Sequence, residues 1–177
     1  SDNRREAAEA LAEEFGLGRE RALVHATELT DEASILDLAA SVREAWGAPD
    51  VVINNAGVYP KGGLLDLSAE AWDRIFDINL RAPFLVTREM AKLMVERGVK
   101  GAFVNISSGA SRQMRNGSVP YCTSKTALER LTKGFALELA PYGIRMNAVE
   151  PGFAPGSAVS PLTEGYVERM KARIPLG

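Results

Sequence analysis

The feature that most constrains this chain is an alternation of helical patterns with short apolar runs. The helical stretches carry apolar residues three and four apart, whereas the runs are nearly continuous in apolar residues, like strands buried in a parallel sheet. This alternation predicts an α/β fold: a doubly wound parallel sheet in a three-layer α/β/α arrangement with right-handed crossovers. We expect strands at residues 22–29, 50–54, 101–107 and 145–150.

Helix boundaries follow from capping residues and from breaks in the pattern. Thr30 or Asp31 can cap a helix that runs to about Trp46, and a long helix should begin at Ser68 and run to about Arg97. We expect further helices at 4–15, about 121–140 and near 164–172. The helix after Asp31 should bury one face, consisting of Ile35, Leu38, Ala39 and Val42. No linker or repeat interrupts the pattern, so we treat residues 1–177 as a single domain.

Composition excludes several classes of function. The net charge of −2 provides no basic field, which argues against a nucleic-acid partner. No apolar run approaches the roughly 20 residues that cross a bilayer. Cys122 is the only cysteine, so we expect neither a disulfide framework nor a thiolate metal cluster, and we assign no metal ligands. These features favour a soluble, cytoplasmic protein without membrane contact.

Polar and small residues follow three of the predicted strands. They are residues 54–57 (Asn-Asn-Ala-Gly), 107–109 (Ser-Ser-Gly) and 151–152 (Pro-Gly). Ligands of open doubly wound sheets bind at the carboxyl ends of the strands, where these residues would meet. Loops are rich in such residues in any protein, which is the alternative interpretation.

Tyr121 and Lys125 lie four residues apart near the start of a predicted helix, so both side chains project from one face. A phenol ordinarily has a pKa of about 10, too high for ready proton exchange near neutrality, and a neighbouring ammonium favours the phenolate. The pair can therefore act as a general acid and base. The alternative is a surface tyrosine that packs on a lysine stem.

The order of the motifs resembles the short-chain dehydrogenase/reductase family. Residues 121–125 (Tyr-Cys-Thr-Ser-Lys) follow 105–108 (Asn-Ile-Ser-Ser), with Ser108 thirteen residues before Tyr121. Upstream lie the Asn-Asn-Ala-Gly turn and residues 77–80 (Asp-Ile-Asn-Leu), and downstream lies the Pro-Gly pair. The resemblance covers almost the whole chain. It implies a Rossmann-like sheet and an oxidoreductase that interconverts a carbonyl and an alcohol by hydride transfer.

The resemblance implies a role for each of four residues. Tyr121 would donate a proton to the carbonyl oxygen, and Lys125 would favour the phenolate and hydrogen-bond the nicotinamide ribose. Ser108 would hold the substrate oxygen, with Ser107 as the adjacent candidate. Asn79 would hold a water that links Lys125 to solvent.

The implied cofactor is NADP or NAD. Besides Tyr121 and Lys125, the residues that would contact it are Asn55, Ala56, Gly57, Glu28, Leu29, Pro151, Gly152 and Phe153. Glu28 and Leu29 stand where the family usually has Asp-Val, and Gly156 stands where it often has threonine, with Ser157 as a substitute. Ser1, Arg4 and Arg5 would suit a 2′-phosphate and favour NADP slightly. The alternative is that these arginines are solvated residues of a first helical turn.

Parts of the family pattern are missing from these 177 residues. We find no counterpart of its first two strands, of the Gly-rich turn that binds the pyrophosphate, or of its last strand. We therefore expect an incomplete domain in which the strand at 22–29 lacks a sheet neighbour. The alternatives to an active enzyme are a non-catalytic binding protein with this fold and an inactive fragment.

The remaining candidates concern partners and substrate. Trp72, Phe76, Phe84 and Leu85 form a stripe typical of a core, but in the family this helix packs against a second subunit, which implies a homodimer or homotetramer. Arg112 and Arg115, between Ser108 and Tyr121, hint at a polar or anionic substrate, and exposed loop charge is the alternative. The identity of the small-molecule substrate is not encoded in any motif. His25, far from Tyr121 in the pattern, is not expected to be catalytic.

Overall fold

The computed structural model describes residues 5–18, 21–152, 165–172 and 174. Within them a parallel sheet forms from β1 (Val51–Asn54), β2 (Ala102–Ile106) and β3 (Arg145–Val149), in that order. Ala102 of the central strand lies opposite Val51 on one side and Arg145 on the other. All three strands run in the same direction, so their carboxyl ends share one edge. The predicted parallel α/β architecture is confirmed.

The helices of the described residues are α1 (Arg5–Glu14), α2 (Glu32–Trp46), α3 (Ala69–Phe76), α4 (Ala82–Arg97), α5 (Val119–Leu139) and α6 (Tyr166–Lys171). A π-helical turn, Asp77–Arg81, joins α3 to α4 without a break. The side chain of Asp31 accepts a hydrogen bond from the Ala33 amide, and that of Ser68 accepts one from the Ala71 amide. Both predicted caps are therefore in place, and they set where α2 and α3 begin.

The core lies between the sheet and the helices α2, α4 and α5. The predicted inner face of α2 is buried in full, with Ile35 wholly excluded from solvent. Phe103 of β2 and Met94 of α4 are likewise fully buried within this cluster. Gly101 enters β2 so close to its surroundings that a Cβ there would lie 2.7 Å from the Asp50 carbonyl oxygen. Only glycine fits at that point without a shift of the neighbouring backbone.

The prediction of a strand at residues 22–29 is wrong. The segment has no ladder partner among the described residues, and a groove of about 450 Å³, lined on one side by Leu23 and on the other by Val51, lies between it and β1. A strand is defined by hydrogen bonds to a neighbour, so an apolar pattern alone cannot create one. The expectation that this segment lacks a sheet neighbour is confirmed.

The prediction that β1 is buried is correct for only some of its side chains. Val52 packs against the core cluster, but Val51 and Ile53 on the opposite face are 58% and 61% exposed. β1 is the outer strand of the described sheet, and Val51 and Ile53 line the open groove beside it. No helix of the described residues is both long and apolar enough to cross a membrane.

Candidate active site

Tyr121 and Lys125 lie on the first two turns of α5, and the structure brings them together as predicted. Lys125 is only 4% exposed, and its Nζ lies 6.0 Å from the centroid of the Tyr121 ring. The same Nζ donates a hydrogen bond of 2.7 Å to the Ile106 carbonyl oxygen, at the end of β2. The ammonium is therefore anchored to the sheet edge where the strands end.

Burial lowers the pKa of Lys125 from 10.5 to about 8. The cause is desolvation, which disfavours the charged form of a buried amine. The bond to the Ile106 carbonyl uses one of three ammonium protons, leaving two for other acceptors. An ammonium whose pKa lies this close to neutral pH, beside a phenol, is suited to proton transfer.

Asn79 fixes the turn that follows β1. It lies in the π-helical turn and is fully buried. Its Oδ1 accepts from the Val58 amide at 2.9 Å, and its Nδ2 donates to the Val58 carbonyl at 2.9 Å and to Ser124 Oγ at 3.1 Å. Since Ser124 is on α5, Asn79 joins the Asn-Asn-Ala-Gly turn to the helix that carries Tyr121. π-helical turns often occur at functional sites.

Gly57 lies between Asn79 and Lys125. A Cβ on Gly57 would lie 3.3 Å from Asn79 Oδ1 and 3.5 Å from Lys125 Nζ. The three predicted site residues are therefore direct neighbours, and Gly57 leaves the ammonium side of the turn free of a side chain. Asn55 and Ala56 of the same turn are exposed and line the groove beside β1.

The two serines after β2 have different environments. Ser107 is buried, and its hydroxyl donates to Glu129 Oε1 at 2.9 Å. Ser108 is half-buried and caps the short helical turn Gly109–Ser111, with its Oγ accepting from the Ala110 amide at 3.2 Å. That bond leaves the Ser108 hydroxyl proton available, whereas the proton of Ser107 is committed to a carboxylate. Ser108 therefore has the hydroxyl that can still donate, and its contact with a substrate stays a prediction.

The other predicted cofactor residues lie outside this cluster. Glu28 Oε1 accepts from the amide and the hydroxyl of Thr30, and the bond from that amide is the main reason its pKa lies below the usual range. Leu29 packs on the core cluster. Pro151 and Gly152 are exposed after β3. Phe153, Gly156, Ser157, Ser1 and Arg4 lie outside the described residues.

Two of the predicted basic residues have carboxylate partners. Arg5 pairs with Glu9 at 2.8 Å on the exposed side of α1. Arg112 pairs with Glu150 at 2.6 Å. Both contacts agree with the alternative that these arginines are exposed surface charge.

Two features of the site were not predicted from the sequence. Tyr59, on the loop after Gly57, stacks at a tilt on Tyr121, with 5.8 Å between ring centroids. Its position two residues after the Asn-Asn-Ala-Gly turn was the available signal. A buried polar chain also crosses the sheet: Asn54 Nδ2 donates to Asn105 Oδ1 at 2.8 Å, and Asn105 Nδ2 donates to Thr132 Oγ1 at 2.8 Å. These bonds stiffen the strand ends that carry the site.

The sequence is similar to that of a known protein family. A family profile described as short chain dehydrogenase matches residues 1–166. The chain is 42% identical over 133 residues to the L-xylulose reductase of Mus musculus, an alignment that covers 74% of this chain and 54% of that protein. This chain thus spans about half the length of that relative.

Solved structures share the architecture. A metagenomic short-chain oxidoreductase in complex with NADP superimposes with a TM-score of 0.79 at 33% identity, over 85% of this chain and 68% of that one. A 4-hydroxyisoleucine dehydrogenase complexed with NADH gives a TM-score of 0.69 at 35% identity, over 72% and 56%. The doubly wound, Rossmann-like class predicted from the sequence is confirmed.

Proposed function

The chain belongs to the short-chain dehydrogenase family, and from that premise we propose that it is an NAD(P)-dependent oxidoreductase interconverting a carbonyl and an alcohol. The observation that carries the proposal is the buried Lys125 ammonium, which lies beside Tyr121 and next to Gly57, and Gly57 in turn adjoins Asn79. Relatives are named as reductases and dehydrogenases of small molecules, in keeping with a small-molecule substrate.

The residues present fit the nicotinamide half of such a cofactor. Gly57 leaves space beside the ammonium, and Lys125 retains two protons for the oxygens of a ribose. The exposed residues Pro151 and Gly152 offer the end of β3 as a second wall. When bound, the cofactor supplies the hydride. Because Arg5 is already paired with Glu9, it gives no preference for a 2′-phosphate, and the proposal covers NADP and NAD alike.

Residues of the chain then carry out the proton transfer, each with a separate role. Tyr121 donates its phenolic proton to the carbonyl oxygen during reduction and takes the hydroxyl proton during oxidation. Lys125 places a positive charge beside that phenol, and Ser108 donates its free hydroxyl proton to the same substrate oxygen. Both Nδ2 protons of Asn79 are used, and its Oδ1 already accepts from the Val58 amide, so the second lone pair of Oδ1 would hold a water near Lys125.

The proposed function also concerns the number of domains and the oligomeric state. We infer a single Rossmann-like domain over residues 1–177 and a homodimer or homotetramer in the cytoplasm. Of the aromatic stripe predicted along the long helix, only Leu85 is in the core. Trp72 is 38% exposed, and Phe84 is half-buried against Phe135 of α5, with 6.1 Å between ring centroids. Partly exposed aromatic residues on α3, α4 and α5 support contact with another subunit.

The test is a screen of ketones and alcohols with NAD(H) and NADP(H), followed by the absorbance of the reduced nicotinamide, on the protein purified in its natural length. Tyr121→Phe should lower kcat at least about 100-fold, because the phenolic proton is lost, while cofactor binding, followed by fluorescence, is retained. Tyr142→Phe, on an exposed tyrosine, is the matched control. Undiminished turnover in Tyr121→Phe would refute the proposed mechanism.

A further inference from the structure

An ion pair joins the two chain segments that flank the candidate active site. Arg112 follows the helical turn after Ser108, and Glu150 is the last residue before Pro151. Nε and Nη2 of Arg112 both reach Glu150 Oε1, at 3.0 and 2.6 Å. The glutamate side chain is 21% exposed and the arginine side chain 73%. The pair therefore connects the segment after β2 to the end of β3 at the rim of the site.

The other attachments of the segment after β2 come from α5. Thr126 Oγ1 donates to the Ser111 carbonyl at 2.8 Å, and Glu129 accepts from the Ser107 hydroxyl at 2.9 Å. These bonds hold both ends of the segment against the helix that carries Tyr121. Among the side-chain contacts described, the bond between Arg112 and Glu150 is the one that comes from the residue directly after β3.

We propose that Arg112 and Glu150 form a positioning pair that sets the distance between Ser108 and the Pro151–Gly152 turn. The inference rests on the proposed function, in which Ser108 holds the substrate oxygen and the turn flanks the nicotinamide. Without the pair, each wall of the site keeps its own anchors, and the Ser107 amide still donates to the Val149 carbonyl at 2.8 Å, but the side-chain link beyond that bond is lost. The carbonyl compound contacts both walls, so loss of the pair weakens its binding more than it weakens binding of the cofactor.

The expected effect is moderate, since the arginine side chain of the pair is 73% exposed. Arg112→Gln and Glu150→Gln should each raise KM for the carbonyl substrate about three- to fivefold, the range of an exposed ion pair, and leave KM for the cofactor within about twofold. The double variant Arg112→Gln/Glu150→Gln should be no worse than either single variant, because one interaction is lost in all three. Raising the salt concentration should move the wild-type KM toward that of the variants, which should themselves respond little.

The matched control is a second exposed ion pair, between Arg43 on α2 and Glu96 on α4, at 2.8 Å. Arg43→Gln should leave both KM values and their salt response unchanged. Effects of the two single variants that multiply in the double variant, or variants that match the wild type in KM and salt response, would overturn the inference.

A readout independent of turnover separates this inference from the proposed function. Hydrogen exchange should accelerate at the amides of residues 110–112 in Arg112→Gln and not in Arg43→Gln. If no carbonyl compound is reduced by the wild-type protein, the proposed function fails while the ion pair is still tested by exchange. Unchanged exchange in Arg112→Gln would show that the pair does not hold the segment, and would overturn the inference by itself.

Discussion

The buried ammonium of Lys125 gives the folded protein a measurable dependence on pH. Burial lowers the pKa of Lys125 from 10.5 to about 8. Below pH 8 this lysine is protonated in both the folded and the unfolded chain. Between about pH 8 and 10.5 the folded chain has released the proton and the unfolded chain retains it. The unfolded state then binds more protons, so stability rises with pH over this window.

The size of the effect follows from the two pKa values. Integrating the proton linkage from pH 7 to pH 10 gives a gain of about 2 to 3 kcal/mol in the free energy of unfolding from Lys125 alone. Lys125→Met removes the titrating group, so the variant should lack this part of the gain. The comparison is made in a Tyr121→Phe background, because the phenol beside Lys125 would otherwise respond to the loss of the ammonium. The difference between the two gains then isolates Lys125.

The assay is urea denaturation at pH 7 and pH 10, followed by the fluorescence of Trp46 and Trp72. Lys133→Met in the same background, on an exposed lysine two turns further along α5, is the matched control and should show the same gain as Tyr121→Phe alone. Equal gains in Tyr121→Phe and in Tyr121→Phe/Lys125→Met would refute the claim that Lys125 is desolvated in the folded protein.

Three further predictions concern the sheet and the serines. Asn105→Ala should lower the free energy of unfolding in urea by about 3 kcal/mol, because two hydrogen bonds of 2.8 Å, one buried and one partly buried, are lost; Asn147→Ala, on the exposed side of β3, should cost under about 0.5 kcal/mol. Gly101→Ala should cost about 2 kcal/mol in the same assay, because its Cβ would lie 2.7 Å from a backbone carbonyl oxygen. Ser108→Ala should lower kcat/KM about 100-fold, whereas Ser107→Ala should leave it within about fivefold and lower the melting temperature.

Local signals predicted the helices well. The cap at Asp31 and the inner face of α2 depend only on residues a few positions apart, so the sequence pattern contains them in full. Tyr121 and Lys125 meet for the same reason, because four residues make about one helical turn. Such features need no knowledge of which elements become neighbours.

Features that depend on distant partners were predicted less well. Residues 22–29 have the pattern of a strand, yet no strand pairs with them in the described structure. Val51 and Ile53 have the pattern of a buried strand, yet burial requires a layer on both faces of the sheet. In both cases the pattern records a preference of the segment, and the tertiary neighbours decide whether it is met.

In the candidate site, too, local motifs were predicted, whereas contacts between distant residues were not. Motif order located Ser108, Asn79 and Gly57, but their contacts depend on how loops close over the sheet edge. The bond of Asn79 to Ser124 and the stacking of Tyr59 on Tyr121 join residues that are far apart in sequence. No spacing rule predicts such contacts.

Transfer of deuterium from the cofactor tests the central claim most directly. Reduced NAD and NADP carrying deuterium at both C4 positions would be incubated with the protein and a panel of carbonyl compounds, and the alcohols analysed by mass spectrometry. The account predicts one deuterium on the carbinol carbon with the wild-type protein and no alcohol above background with Tyr121→Phe. An alcohol without deuterium, or labelled alcohol formed equally by both proteins, would contradict it.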